Sequence, residues 1–151
     1  MAPIVSGVDI ARPPAEVFAY ATDPSTFGEW QDGVISGHTE PAGPPEVGYH
    51  CVMTRQIGGA ERISTSVITE LSPPRTWAIH GIDGSVRADV TVTVEPRQDG
   101  TQSHVTIGLD FSGSGMGRMI LPMVVRQARK EVPESCQKLK NRLEGSPSAR
   151  R

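Results

Sequence analysis

The chain of 151 residues has the length of one domain, and its hydrophobic content of 36% is enough for a single core. The formal net charge of −2 gives no global reason to expect a nucleic acid or an anionic membrane as partner. The two cysteines, Cys51 and Cys136, are too few for a disulfide framework and lack metal-ligand spacing, so we expect free buried thiols and no metal site.

The first part of the chain predicts one strand and two short helices. Residues 4–12 read as a strand that ends at Pro13 and Pro14, and proline is well tolerated in the first turn of a helix. Residues 15–21 and 24–31 then form two short helical segments, each with an aromatic residue. Such a pair of helices would close one end of a sheet.

Six further strands are predicted from alternating apolar and polar residues and from the turn residues between them, among them a Gly58-Gly59 hairpin. Consecutive strands joined by tight turns pair with each other, so we predict an antiparallel meander with one wet face and one covered face. The strands span residues 33–40, 49–57, 61–71, 76–82, 86–95 and 104–111, and the clearest alternation sets Val86, Ala88, Val90, Val92 and Val94 on one face.

The facing of the strand at 49–57 decides the role of one charged residue. Its more apolar register turns Tyr49, Cys51, Met53 and Arg55 inward. An inward Arg55 could pair with a ligand carboxylate or polarise a carbonyl, because an unpaired buried charge costs several kcal/mol. Alternatively, Arg55 lies near the strand end and its long side chain reaches water.

The strand at 76–82 carries the histidine best placed for acid–base chemistry. Imidazole titrates near neutral pH, which makes His80 a candidate proton carrier. The more apolar register, with Trp77 and Ile79, is the better candidate for the inner face, and it turns His80 outward. The sequence therefore favours an outward His80 while leaving the inward alternative open.

A long C-terminal helix is predicted from residue 116 to residue 144, and Gly145 with Pro147 ends it. Pro133 predicts a bend, with the part before it covering a pocket, and residues 146–151 predict a disordered tail. Apolar residues at intervals of three and four form one stripe that should lie on the sheet. The stripe comprises Met116, Ile120, Met123, Val124, Ala128, Val132, Cys136, Leu139 and Leu143, with Met119 beside it.

Three sequence phrases carry a family resemblance: "RPPAEVFAYATDPSTFGEW", "VITELSPPRTW" and "LKNRLEG". With the order of elements, they resemble the SRPBCC superfamily, also called START-like or birch-pollen-allergen-like, and its polyketide cyclase/dehydrase members. The resemblance runs from about residue 5 to residue 143. It implies an α+β helix-grip fold over residues 1–145, in which a curved seven-stranded antiparallel sheet and two short helices surround a long C-terminal helix.

The resemblance also implies a cavity between sheet and helix that holds a hydrophobic small molecule. Composition alone favours a thin packed core, although two Trp, two Tyr and three Phe supply little aromatic bulk to fill it. In the implied cavity Arg55 would polarise a carbonyl, and His80 or Tyr49 would move a proton. The expected ligand-binding residues are Trp30, Met53, Trp77, Ile79, Val90, Val92, Met116, Met119, Ile120 and Met123.

Three functions are open at this point. The first is cofactor-free cyclisation or dehydration of a polyketide-like molecule, in which the cavity folds a flexible substrate into a reactive conformer. The second is a carrier or sensor that leaves its ligand unchanged, and the third is a toxin-like regulator that acts through a protein partner. We expect a cytoplasmic protein with no nucleic-acid partner and no membrane span, since no run reaches the roughly 20 apolar residues of a span. The oligomeric state is left open, with a dimer as one option.

Overall fold

The computed structural model describes residues 3–57 and 59–145. The predicted disordered tail at 146–151 and the first residue of the predicted Gly58-Gly59 turn lie outside the described residues. The helices are α1 (Pro14–Ala21) and α2 (Met116–Gly145), with 3-10 helices at Pro24–Glu29 and Gln98–Gly100. The strands are β1 (Ile4–Ile10), β2 (Val34–Glu40), β3 (His50–Ile57), β4 (Ala60–Ser72), β5 (Thr76–Gly81), β6 (Val86–Arg97) and β7 (Gln102–Gly113).

The strands form one antiparallel sheet in the order β1-β7-β6-β5-β4-β3-β2. The predicted meander is confirmed from β2 to β7, because each of these strands pairs with the next one in the chain. The first strand instead pairs with the last one, in a register that runs from Ile4 opposite Leu109 to Ile10 opposite Ser103. The predicted helix-grip architecture is confirmed.

Pairing registers show which residues share the inner face of the sheet, because directly opposed residues point to the same side. Trp77 lies opposite Val92 and Ile79 lies opposite Val90. The inward register predicted for β5 is therefore correct. The register of β3 is also correct, since Cys51 and Met53 are buried.

The two short helices cover one end of the inner face. Pro13 and Pro14 start α1, which buries Val17 and Phe18. Asp23 caps the 3-10 helix by accepting a hydrogen bond from the Ser25 backbone N–H at 3.0 Å. Their aromatic rings join the core by edge contacts, with ring centroids 5.8 Å apart for Phe27–Trp30 and 5.9 Å apart for Phe27–Trp77.

The long helix α2 packs on β1 and β7 and more lightly on β6. It runs unbroken from Met116 to Gly145 and contains both Pro122 and Pro133. The start of α2 lies so close to the β5–β6 turn that a Cβ atom at Gly117 would collide with the Ser85 carbonyl oxygen. Glycine is therefore required at this position. The buried helix residues are Gly117, Val125, Ala128, Val132, Cys136, Leu139 and Leu143.

The predicted apolar stripe is correct at Val124, at Ala128 and through the second half of α2, and it is wrong at four residues before Val124. Met116, Met119, Ile120 and Met123 are exposed, and the residues that turn inward are Gly117, Leu121, Val124 and Val125. From Ala128 back to Met116 the predicted stripe takes three steps of four residues, and each step turns the helix about 40° too far. The accumulated rotation is about 80° at Ile120 and about 120° at Met116, and Met123 and Met119, five and nine residues before Ala128, lie about 140° and 180° away from it.

We expect Leu139→Ala to lower the free energy of unfolding by about 2–5 kcal/mol, because Leu139 is 0% exposed and its truncation leaves a cavity. Met119→Ala is the matched control, since both residues were candidates for one stripe. It should change the free energy of unfolding by less than about 0.5 kcal/mol. Equilibrium unfolding in urea measures both values, and equal losses would contradict the helix rotation described above.

Candidate functional site

The inner face of the sheet divides into two halves that differ in how completely α2 covers them. Beneath the second half of α2, Val94 and Val105 are 0% exposed. Near its first half, the inward residues of β6 and β7 are only partly buried. We call this region the open half, and it comprises Ala88, Val90, Leu109 and Phe111 on the sheet with Leu121 and Val124 on α2.

The side chain of Arg55 lies on the same inner face, on β3. It is half-buried, and desolvation lowers the pKa of its guanidinium against smaller opposing effects of Cys51 and Glu131. Among the described residues, no hydrogen bond and no ion pair within 4.0 Å holds this guanidinium. Arginine stays protonated even when its pKa falls, so the inner face carries a charge without a fixed partner.

Glu131 on α2 is the carboxylate that acts on Arg55 from the helix side. Its charge stabilises the protonated guanidinium through space, without an ion pair. Its Oε1 atom accepts a hydrogen bond from Gln127 Nε2 at 2.6 Å, one helical turn away. The pair therefore spans the space between sheet and helix with a cation on one wall and an anion on the other.

Small polar residues lie beside Arg55 on the inner face. Met53 lies opposite Ser64 and Cys51 lies opposite Ser66, so both half-buried serines point the same way. Burial raises the pKa of the Cys51 thiol to about 11, with a smaller lowering effect from Arg55. A thiol with that pKa is almost entirely protonated at neutral pH and is a poor nucleophile.

Tyr49 lies just before β3, and its phenol points to a neighbouring loop residue. The Tyr49 hydroxyl donates a hydrogen bond to Glu46 Oε2 at 2.9 Å, and this bond raises the pKa of the phenol. A phenol with a raised pKa is a weaker acid, and this one already has an acceptor. The structure therefore offers little support for Tyr49 as a proton donor.

His80 lies on the outer face of the sheet, as the favoured register predicted. Its Nδ1 atom contacts the Asp89 carboxylate, and about half of each side chain is exposed. The pair borders a hollow of about 330 Å³ on that outer face, together with Thr69 and Thr91. The candidate role of His80 as a proton carrier inside the cavity is therefore corrected, because the sheet separates its side chain from the inner face.

The predicted ligand-binding residues fall into three groups. Trp30, Met53, Trp77, Ile79 and Val92 are buried in the protein core. Val90 is one of the partly buried residues of the open half. The predicted lining by Met116, Met119, Ile120 and Met123 is wrong, because these four side chains point to solvent.

Sequence reasoning missed Glu131, Ser64 and Ser66. The serines could have been found by carrying the inward register of β3 across the hairpin to β4. Glu131 had a weaker signal, because the residue precedes the buried Val132 and lies at the margin of the stripe. Leu121 required the correct rotation of the first half of α2, whereas Val124 was part of the predicted stripe.

The described part of the chain shows neither a cluster of metal ligands nor a membrane-spanning helix. Among residues 3–57 and 59–145, no three His, Cys, Asp or Glu side chains are grouped closely enough to hold a metal ion. Within the same ranges, no helix is both long enough and apolar enough to cross a membrane. The two cysteines are free and buried, as predicted.

Comparison with known proteins gives one family match. The model of a family described as "Polyketide cyclase / dehydrase and lipid transport" matches residues 1–144. No curated protein matches the chain by sequence.

Solved structures share the fold at low sequence identity. TTHA0849 from Thermus thermophilus is 14% identical with a TM-score of 0.75, and the match covers 97% of this chain and 99% of that one. A START superfamily protein from Mycobacterium smegmatis is 12% identical with a TM-score of 0.74, covering 95% of this chain and 97% of that one. The di-domain ARO/CYC BexL from the BE-7585A biosynthetic pathway is 16% identical with a TM-score of 0.75, covering 97% of this chain and 48% of that one.

Proposed function

The chain belongs to the polyketide cyclase/dehydrase and lipid transport family, and from that membership we propose that it binds an apolar small molecule between the sheet and α2. The ligand lies against the open half and directs an anionic or carbonyl group toward Arg55. The observation that carries this proposal is the desolvated Arg55 guanidinium, which has no hydrogen bond or ion pair among the described residues.

The apolar part of the ligand is supported by the incomplete burial of the open half. Leu109 and Phe111 on the sheet and Leu121 on α2 are inward apolar side chains that remain partly accessible to solvent. Transfer of apolar surface from water stabilises a complex by roughly 25 cal/mol per Å². A ligand that covers these side chains would gain that stabilisation.

The polar part of the ligand is supported by the chemistry around Arg55. A guanidinium offers five N–H donors in a plane, which suits a carboxylate or a carbonyl oxygen. The half-buried Ser64 and Ser66 lie nearby on the inner face and can donate or accept hydrogen bonds. An apolar wall with a few convergent polar groups is the usual make-up of a small-molecule site.

A second candidate function is cyclisation or dehydration of a polyketide-like ligand without a cofactor, which the opposed Arg55 and Glu131 favour. Glu131 would take a proton from a methylene between two carbonyl groups, and the resulting enolate carbon would attack another carbonyl of the same chain. Arg55 would donate hydrogen bonds to the oxygen that becomes an alkoxide, and that oxygen would recover the proton from Glu131. The structural likeness to BexL, described as an ARO/CYC, agrees with this chemistry but carries only the fold.

We expect Val90→Trp to weaken binding of the uncharged probe N-phenyl-1-naphthylamine about tenfold or more, because the indole would occupy the proposed pocket. Thr91→Trp is the matched control, since the next residue of β6 points to the outer face and is exposed. It should bind the probe like the parent protein. Fluorescence titration measures both, and equal binding by Val90→Trp and the parent would place the probe elsewhere.

We expect Arg55→Gln to weaken binding of the anionic probe 8-anilinonaphthalene-1-sulfonate by about 10- to 100-fold. This range corresponds to the loss of a charge-assisted hydrogen bond of roughly 1.5–3 kcal/mol. Binding of the uncharged probe should change less than about threefold, because the apolar wall is intact. Arg75→Gln, at an exposed residue of the β4–β5 turn, is the control for loss of one positive charge. If the control variant lost as much affinity, nonspecific attraction would explain the result.

The catalytic candidate makes a separate prediction. With a linear poly-β-ketone as substrate, Arg55→Gln and Glu131→Gln should each slow cyclisation by about 100-fold or more, as expected for loss of a hydrogen-bond donor or a proton carrier. His80→Ala should leave the rate unchanged, because His80 lies on the outer face. Product analysis by mass spectrometry decides the matter. Recovery of unaltered substrate from the parent protein would reject catalysis and leave a carrier or sensor.

A further inference from the structure

The first half of α2 carries an exposed apolar patch on the side that faces away from the sheet. We call Met116, Met119, Ile120 and Met123 the outer patch, and their exposed fractions are 75%, 77%, 44% and 64%. Their spacing of three and four residues places them within an arc of about 100° on the helix surface. Four large apolar side chains held side by side in water are an unusual feature of a protein surface.

Arg126 and Lys130 lie beside the outer patch on the helix surface, Arg118 and Arg129 lie further round the helix, and the same segment of α2 has no acidic residue. Residues 116–130 contain Arg118, Arg126, Arg129 and Lys130 and neither Asp nor Glu. Arg126 and Lys130 continue the helix face of Met123 at steps of three and four residues. Near the start of α2, Asp83 in the β5–β6 turn and Arg87 at the beginning of β6 add one charge of each sign.

The cations in the two halves of α2 differ in their partners. In the second half, Lys138 pairs with Asp32, Lys140 pairs with Glu144 and Arg142 pairs with Glu29. In the first half, none of the four cations makes an ion pair within 4.0 Å or a side-chain hydrogen bond to any described residue. The first half therefore presents positive charge that the protein itself does not neutralise.

We propose that the outer patch, together with Arg126 and Lys130, docks the protein on the surface of an anionic phospholipid bilayer. A helix that lies in a membrane interface needs an apolar face for the acyl boundary and cations for the head groups, and both are present here. The helix segment from Met116 to Lys130 would lie along the bilayer surface over roughly 20 Å. The proposal concerns the outer side of α2, so it does not require a ligand on its inner side.

Two other occupants fit the surface less well. A second copy packed symmetrically on the outer patch would bring Arg126 and Lys130 of both copies together, four cations without an acidic residue from residues 116–130 of either copy. A folded acidic protein would need a concave apolar surface to accept a convex helix face, whereas a lipid interface deforms around it. Flexible methionine side chains also suit a fluid acyl boundary, since they adapt to irregular surroundings.

The experiment is co-sedimentation of the full chain with vesicles of phosphatidylcholine alone or with about one-third phosphatidylserine. We expect binding to the anionic vesicles only, and weakening as the salt concentration rises from about 0.05 to about 0.5 M. Arg126→Gln/Lys130→Gln should lower the partition coefficient about 30-fold, because each cation near the surface contributes roughly 1 kcal/mol to binding. Met119→Ser/Met123→Ser should weaken it about tenfold or more.

Matched variants test whether the location of the changes matters. Arg75→Gln/Arg97→Gln removes two exposed cations at the opposite end of the sheet, and Ile35→Ser/Ile63→Ser removes two exposed apolar side chains from β2 and β4. Both control proteins should bind like the parent. Circular dichroism and thermal melting check that every variant is folded.

Three results would overturn the proposal. One is failure of the parent protein to bind the anionic vesicles. Another is an equal loss of binding in the control variants and in the α2 variants. The third is a concentration-dependent dimer, seen by sedimentation velocity without lipid, that Met119→Ser/Met123→Ser abolishes, since it would assign the outer patch to a second copy.

Discussion

The structure depends on how one helix of 30 residues is covered by a curved sheet. A helix presents a single stripe at 3.6 residues per turn, and it buries that stripe only against the strands that it contacts. Because α2 packs on β1 and β7 and lightly on β6, the apolar stripe of its second half is buried, whereas Leu121 and Val124 in its first half stay partly exposed. The open half of the inner face is the geometric result of that placement.

Polar contacts fix the second half of α2 and leave the first half without comparable ties. Lys138 and Arg142 bind carboxylates near the 3-10 helix, the latter to Glu29 Oε1 at 2.9 Å. Lys140 Nζ donates a hydrogen bond to the Asp9 carbonyl oxygen at 2.8 Å. These bonds anchor the second half of the helix to the N-terminal part of the chain.

The sequence was sufficient for the architecture and for the facing of the strands. Strand alternation has a period of two, so the inward positions of Cys51, Met53, Trp77 and Ile79 did not depend on accumulated spacing. The helix was harder, because steps of four residues from Ala128 to Met116 drift steadily away from the true stripe. Pairing of β1 with β7 and the approach of Glu131 to Arg55 join residues far apart in sequence, and no local pattern records such contacts.

The four misplaced residues reveal why the first half of α2 differs from the second. Met119 and Met123 have the spacing of core residues, yet Leu121 and Val124 already supply the inward side, so this segment is apolar on two faces. Packing on the sheet accounts for the inward apolar face of the helix but not for the outward one. Apolar side chains exposed to water on the outward face do not stabilise the fold. Unpaired cations accompany that second face and are absent from the well-paired half. The same fifteen residues thus carry the proposed pocket wall inside and the proposed lipid contact outside, separated by the width of one helix.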